Sequence, residues 1–409
     1  MKYKIFDAPF HGANLDTLVR PSTLCEYRAD VVDSSMGLLD CSGENLLPYS
    51  EDFSASSSWT AMGTCTVTAN QAIAPNGTLT ADKIETLGTS GNYLYDTVSV
   101  ASGVAYFPSF WIRRISTSGS LYIKNPAGGI YGQMAVDLST LPNSWVLISP
   151  NSPYATLNND FVGNASNNGG MLFYTFSGTV DFYLWGACCS TITGSKRHNY
   201  IQTTGVSKPR LDMTATGSPV AVPSRIQGPN GNLLQAMRYD GTSDYHSVSH
   251  HNCMNVFDED HTITVLCTTD DTANSEHVLS HGAFNADGFY IYNIASSDSY
   301  AIRYHKSGAS VIVGNVTALT TGQYALIQAV RSSNIATMYI NGTSQGSADV
   351  TGYGIDGSRN LSIAETNAFT GDVAYVRIDR EASSAAKLAE ERALLLGYGI
   401  GIKGGRNPW

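Results

Sequence analysis

From Tyr239 onward the chain is a succession of short runs in which apolar and polar residues alternate, and few folds accept such a pattern. The stretch Tyr239-Asp240-Gly241-Thr242-Ser243-Asp244-Tyr245 sets an aromatic, a tight Asp-Gly turn and a second aromatic at its head. Beyond it lie 262–266, 288–292, 325–330, 337–340 and 373–378, each rich in β-branched or aromatic residues and bounded by Gly, Asn, Asp or Ser. A period of two places alternate side chains on opposite faces of a strand, so the pattern predicts an all-β sandwich.

Several of these runs also carry a family resemblance. The stretch 239–245 resembles the aromatic-Asp-Gly opening of laminin G-like, concanavalin A-like jelly rolls. His277-Val278-Leu279-Ser280-His281-Gly282, Met338-Tyr339-Ile340-Asn341-Gly342-Thr343 and the closing run 369–378 resemble later strands of that family, in its order. The segment 24–43, with Leu24-Cys25-Glu26-Tyr27 and Asp40-Cys41-Ser42-Gly43, is similar to the family's first strand and turn. The resemblance implies a jelly roll and leaves the ligand open.

A second pattern begins at Asn45-Leu46-Leu47-Pro48-Tyr49-Ser50 and ends at Trp185-Gly186-Ala187-Cys188-Cys189 and Asn199-Tyr200-Ile201-Gln202-Thr203-Thr204-Gly205. Both ends resemble the carbohydrate-binding-module-like sandwich of phage tail and appendage proteins. The Cys188-Cys189 pair departs from the family's Gln-Leu-Glu. The expected organisation is therefore a docking arm (1–24), a first jelly-roll strand or linker (25–44), a binding-module sandwich (45–205), the laminin G-like sandwich with one short helix (206–396) and a Gly-rich tail (397–409). Whether the module is inserted in the jelly roll or stands in tandem with it is open at this level. The helix is expected from capping Ser383 and Ser384, a stripe of Ala385, Leu388, Arg392 and Leu395, and a stop at Gly397.

Composition narrows the function. The 409 residues carry 24 Lys and Arg against 34 Asp and Glu, a net charge of −10. Phosphate-binding faces need basic patches, and no basic run occurs, so nucleic acid is not an expected partner. Only 14% of residues are charged, against about 25% in an average soluble protein, which leaves neutral polar groups to cover the surface. No stretch approaches the ~20 apolar residues of a membrane span, and the opening 1–7 lacks an export-signal core. Seven irregularly spaced cysteines form no Cys-x-x-Cys pair and read as thiols of a protein made in a reducing cytoplasm.

Catalytic signatures are weak. A glycosidase needs two carboxylates facing each other across a cleft; Asp258-Glu259-Asp260 reads instead as a turn before the strand at Thr262. His246, His250, His251, Cys253 and His261 cluster in sequence at no standard zinc spacing and read as loop histidines. The expectation is a protein without enzymatic activity and without a required cofactor. The resemblance favours calcium over a transition metal, because related folds hold it in acidic loops, with Asp40, Asp240 and Asp244 as the hard oxygen ligands and Asp270 and Asp271 as further carboxylates.

Four of the five tryptophans fall in the module. Trp111 and Trp185 sit in strand patterns and read as core. Trp59, beside Ser56-Ser57-Ser58, together with Tyr93 and Tyr95, are the expected carbohydrate-binding residues, because exposed rings stack on sugar C–H faces. The resemblance then implies a bacteriophage virion structural protein, an appendage or decoration of head, neck or tail, made in the host cytoplasm and present in several copies. Its expected partners are other virion subunits and cell-surface glycans. A receptor-binding tail fibre or adhesin is the alternative, and a polysaccharide-degrading enzyme the second alternative.

Overall fold

The computed structural model describes residues 23–32, 38–40, 44–55, 57–86, 91–126, 132–176, 179–191, 202–208, 211–227, 233–255, 257–270, 274–282, 287–295, 299–314, 322, 324–354, 359–365 and 369–396. Residues 1–22 of the arm expected at 1–24, the tail at 397–409, the side chain of Asp40, Asp271 and the Asn199–Ile201 part of the module's closing motif lie outside the described residues, whereas Thr23 and Leu24 open the strand Thr23–Val32. The described chain is all-β with one C-terminal helix, arranged as four antiparallel sheets in two compact units, 43–210 and the remainder on either side of it.

In the unit built from both ends of the sequence, one sheet runs Val220–Gln227, Leu233–Asp240, Thr370–Asp379, His261–Thr269, Ala325–Ser332, Ile335–Ile340, Thr343–Asp349. One edge of the closing strand Thr370–Asp379 is shared. Leu233–Asp240 pairs with its first half, up to Val373, and Thr23–Val32 pairs with its second half, from Tyr375 to Asp379. The second sheet runs Thr214–Thr216, Tyr245–Val248, Leu361–Ile363, His277–Gly282, Asp287–Ile294, Ser299–Lys306, Ala309–Gly314. Alternation sends Ile263, Val265, Phe289, Ile291, Ile302, Val376 and Ile378 into one shared core, where Tyr27 also lies with its hydroxyl donating to the Leu211 carbonyl at 2.6 Å.

The helix Ala385–Leu396 starts where Ser384 accepts from the Lys387 amide at 3.3 Å. The residues it buries are Leu388, Glu391 and Leu395. The expected stripe contained Arg392 and not Glu391. The acid turns inward because Arg377 and Gln328, on the outer face of the sheet, meet it there.

In the unit 43–210, a five-stranded sheet (Val146–Ile148, Phe107–Arg114, Val180–Ser190, Ala81–Thr86, Thr66–Ala72) and a six-stranded sheet (Ala155–Asn159, Gln133–Asp137, Ser120–Lys124, Asn168–Tyr174, Tyr93–Ser99, Thr60–Met62) bury Leu94, Phe110, Ile112, Ile123, Phe173 and Phe182 between them. The unit's two ends meet. Asn45 and Lys208 exchange backbone hydrogen bonds at 2.8 and 2.7 Å, and the Asn45 side chain donates to the Ala187 carbonyl at 3.0 Å. A domain whose ends lie together can be accommodated within a loop of another.

Candidate functional site

The six-stranded sheet has one face in the core, so the polar phase of its strands points outward. Leu94 and Val98 go inward from Tyr93–Ser99, which leaves Tyr93 and Tyr95 on the other face. The same rule places Tyr122 and Lys124 outward beside buried Leu121 and Ile123, and Leu172 and Tyr174 outward beside buried Met171 and Phe173.

Register then aligns them. Met62, Tyr93, Tyr174, Tyr122 and Ala135 form one row across five strands, and Thr60, Tyr95, Leu172, Lys124 and Gln133 form the next. Tyr122 and Tyr174 have ring centroids 5.4 Å apart, and Phe176 meets them edge-on at 4.6 and 5.0 Å. Tyr93 and Tyr95 lie 5.6 Å apart. The Lys124 ammonium sits 5.1 Å from the Tyr174 centroid and 5.9 Å from that of Phe176. Phe176 is 59% exposed, an unusual position for a large ring unless something covers it in use. The Tyr174 hydroxyl is buried and has no hydrogen-bond partner among the described residues, an arrangement rare enough to call for an explanation.

The acids of this sheet are already engaged. Asp96 turns inward, where Ser58 and the Thr97 amide donate to it, and burial raises its carboxyl despite those bonds. Asp137 accepts from the Ser139 amide and hydroxyl at 2.9 and 2.7 Å, capping the short turn 138–140.

Trp59 is not a surface residue. It is 2% exposed, its indole donates to the Tyr49 carbonyl at 2.8 Å, and its ring packs 4.9 Å from Phe53 and 6.1 Å from Phe173. A turn closed by the Ala55 carbonyl points the tryptophan into the core, so the polar serines before it mark the loop and not the direction of its last side chain. Tyr93 and Tyr95 do share one outward face. Tyr122, Tyr174 and Phe176, which join them there, escaped the sequence reading, although alternation in their strands already placed the two tyrosines in the polar phase.

Trp111, Trp145 and Trp185 build a different cluster on the outer face of the five-stranded sheet. Trp185 is buried with Ala72, Ala74 and Ala81, and Trp111, Trp145 and Tyr183 pack against it. The indoles of Trp145 and Trp185 donate to the Ile73 carbonyl at 2.9 Å and the Thr80 hydroxyl at 3.1 Å. Arg113 lies 4.5 Å above the Tyr183 ring and 5.5 Å from that of Trp145. These indole N–H groups are spent on fastening the loop between the edge strand Thr66–Ala72 and its neighbour Ala81–Thr86.

Asp240 and Asp244 are each engaged in hydrogen bonds of the fold. Asp240 accepts from the amides of Thr242, Ser243 and Asp244 at 2.8 to 3.2 Å and from the Thr242 hydroxyl at 2.5 Å, bonds that hold its carboxyl far below the usual range. Asp244 accepts from the Ser218 amide at 2.6 Å. Both are turn-forming carboxylates, and a cation would have to displace their N–H donors. The histidines disperse as well. His246 bonds Tyr239 at 2.9 Å, His261 bonds Tyr304 at 3.0 Å and the Glu259 carbonyl at 2.9 Å, and His251 caps Cys253. Among the described residues no three His, Cys, Asp or Glu side chains converge as a metal site. Cys65, Cys188, Cys189, Cys253 and Cys267 are buried.

Fold and surface together define a protein of two antiparallel sandwiches, and the most exposed aromatic ring among the described residues, Phe176, borders a sheet face. Residues 240–389 match the family described as the concanavalin A-like lectin/glucanases superfamily. No curated protein matches the chain. Among solved structures, the binding domain of Paraclostridial Mosquitocidal Protein 1 is 13% identical over 45% of this chain and 47% of its own, with a TM-score of 0.37. Domain 4 of AbnA, a GH43 extracellular arabinanase from Geobacillus stearothermophilus solved with arabinotriose, is 12% identical over 45% of this chain and 87% of its own, with a TM-score of 0.34. The binding domain of botulinum neurotoxin DC in complex with SialylT is 11% identical over 46% and 49%, with a TM-score of 0.35. The match thus spans about half the length of the toxin binding domains.

Proposed function

We propose that the unit 43–210 binds glycans on the outward face of its six-stranded sheet. The observation that carries this reading is the cross-strand set of Tyr93, Tyr174 and Tyr122, extended by exposed Phe176 and edged by Lys124. Rings offered from a rigid sheet can stack on the C–H faces of successive sugars, and the ammonium of Lys124 and the amide of Gln133 can meet ring hydroxyls. We read the protein as holding its ligand without cleaving it, since Asp96 and Asp137 are committed to hydrogen bonds of the fold.

A stacked ring contributes on the order of 1 kcal/mol, so a single copy binds weakly and retention grows with copy number. That suits a particle-borne adhesive. The resemblance of 45–205 to phage tail and appendage modules supports placing the chain on a virion, with other virion subunits as its dock and cell-surface glycans as its target. A glycan array probed with the protein displayed in many copies tests binding, and silence across the array refutes it. Mass spectrometry of purified particles tests the virion assignment, and absence of the chain from particles refutes that.

A further inference from the structure

On the seven-stranded sheet, the strands Asp287–Ile294 and Ser299–Lys306 send Phe289, Ile291, Ile302 and Tyr304 into the core. The other phase of the same strands carries Tyr290, Tyr292, Arg303 and His305, with Arg303 directly opposite Tyr290 and His277 opposite Tyr292. We infer that Arg303 anchors an anion site on this outward face, one that takes the carboxylate of an acidic sugar.

The cluster is built around the guanidinium. His277 stacks on Tyr290 with centroids 4.1 Å apart and planes at 18°, and the Tyr290 hydroxyl lies 2.6 Å from His305 Nε2. Arg303 lies across both phenols, 5.9 Å from the Tyr290 centroid and 5.2 Å from that of Tyr292. The rings and both histidines are buried while Arg303 stays half-exposed, so the cation is the part of the cluster that a ligand can reach. Its Nε is buried without a hydrogen-bond partner, and among the described residues no carboxylate forms an ion pair with it.

A partly desolvated charge is normally compensated, because leaving water costs far more than neutral neighbours return. Within the fold the phenols of Tyr290 and Tyr292 compensate the charge in part by hydrogen bonding, but among the described residues no carboxylate neutralises it, and a ligand's carboxylate can. The histidines do not serve as alternative cations, since burial and the nearby Arg303 hold both His277 and His305 down to about 4. One permanent cation therefore faces the ligand, and its planar fork matches one carboxylate in two parallel hydrogen bonds. A single charge set among aromatic rings fits the spaced carboxylates of an acidic glycan better than the dense charge of an acidic peptide. The choice of a sugar rests on the glycan reading above, although the site lies in the other unit.

The test uses the full chain on immobilised polygalacturonate and colominic acid, each beside its carboxyl-reduced polymer. The wild-type protein is expected to prefer at least one acidic polymer over its reduced form by about tenfold or more, and Arg303→Gln to lose that preference. Tyr122→Ala/Phe176→Ala should lower retention on acidic and reduced polymers alike, so failure of the tyrosine face and failure of the Arg303 site read differently. If Arg303→Gln melts early, Arg303→Lys keeps the charge without the fork and should fold normally with the preference reduced. No preference in the wild type, or a preference that survives Arg303→Gln or is undiminished in folded Arg303→Lys, overturns the proposal. Equal competition by poly-glutamate also overturns it, in favour of a peptide ligand.

Discussion

Arg377, on the closing strand, reaches Glu391 of the C-terminal helix at 2.7 Å, and neither side chain touches solvent. Asp379 holds the same guanidinium at 3.0 Å, and Gln328 donates to the other carboxylate oxygen of Glu391 at 3.0 Å. Burying such a pair gains little over an apolar pair of the same volume, but removing one member strands the other charge. Glu391→Ala is therefore expected to destabilise the protein by about 3–5 kcal/mol in denaturant titrations. Arg377→Met/Asp379→Leu/Glu391→Leu, which removes every charge of the buried triad together, should recover most of that loss. A single variant as stable as wild type would show that the helix is not fastened here.

The shared edge of Thr370–Asp379 predicts the behaviour of a truncated chain. A fragment beginning at residue 211 lacks Thr23–Val32 and bares the backbone of Tyr375–Asp379 on one side. An unpaired edge inside a sheet invites association with other chains. The fragment should aggregate or melt well below the full chain in size-exclusion and thermal measurements. A monomeric fragment of undiminished stability would mean that the N-terminal strand contributes nothing essential.

Acid should weaken the unit that contains 211–396. Burial holds His277, His281 and His305 at about 4, with Arg303 adding to the effect on His277 and His305 and His250 adding to that on His281. The unfolded chain binds these protons near pH 6.5. Between pH 6.5 and 4 the unfolded state thus carries more protons, so the stability present above pH 6.5 is lost as the pH falls. Asp82, pushed up to about 6 by its burial, works the other way in the unit 43–210, which gains stability as the pH falls from 6 towards 3.8. His281 lies in the core beside Phe257 and Phe289 with neither ring nitrogen bonded among the described residues, so His281→Phe should blunt the acid sensitivity. Melting curves from pH 7 to 4.5 that coincide for all variants would contradict this.

Trp59 and Phe176 separate structure from surface. Trp59→Ala removes a ring packed on Phe53 and Phe173 and should cost about 3–5 kcal/mol. Phe176→Ala removes a ring that is mostly in water and should leave the melting temperature within a degree or two. A Trp59→Ala protein that melts like wild type would return that tryptophan to the surface.

What the sequence made legible follows the same division. Alternation along single strands is a local property, so the all-β class, the jelly-roll runs after Tyr239 and the outward phase of Tyr93 and Tyr95 could be read directly. Register is not local. That Tyr174 sits between Tyr93 and Tyr122, or that Arg303 lies over Tyr290 and Tyr292, depends on which strands pair and where, and no single run carries that information. Side chains at loop ends are equally hidden, as Trp59 shows. Glu391 falls outside the expected apolar stripe because helical patterning counts an acid as solvent-facing, and only the strand beneath it reveals the arginine that draws it inward.

The account turns on the tyrosine face as a glycan platform. Its most direct measurement compares, on one glycan array, the multivalent wild-type protein with Tyr122→Ala/Phe176→Ala and with Trp111→Ala, whose ring belongs to the opposite sheet of the same unit. The account predicts a signal that falls at least about tenfold in the tyrosine-face variant, at an unchanged melting temperature, and survives in Trp111→Ala. Binding that is indifferent to Tyr122 and Phe176 but lost with Trp111 would contradict it.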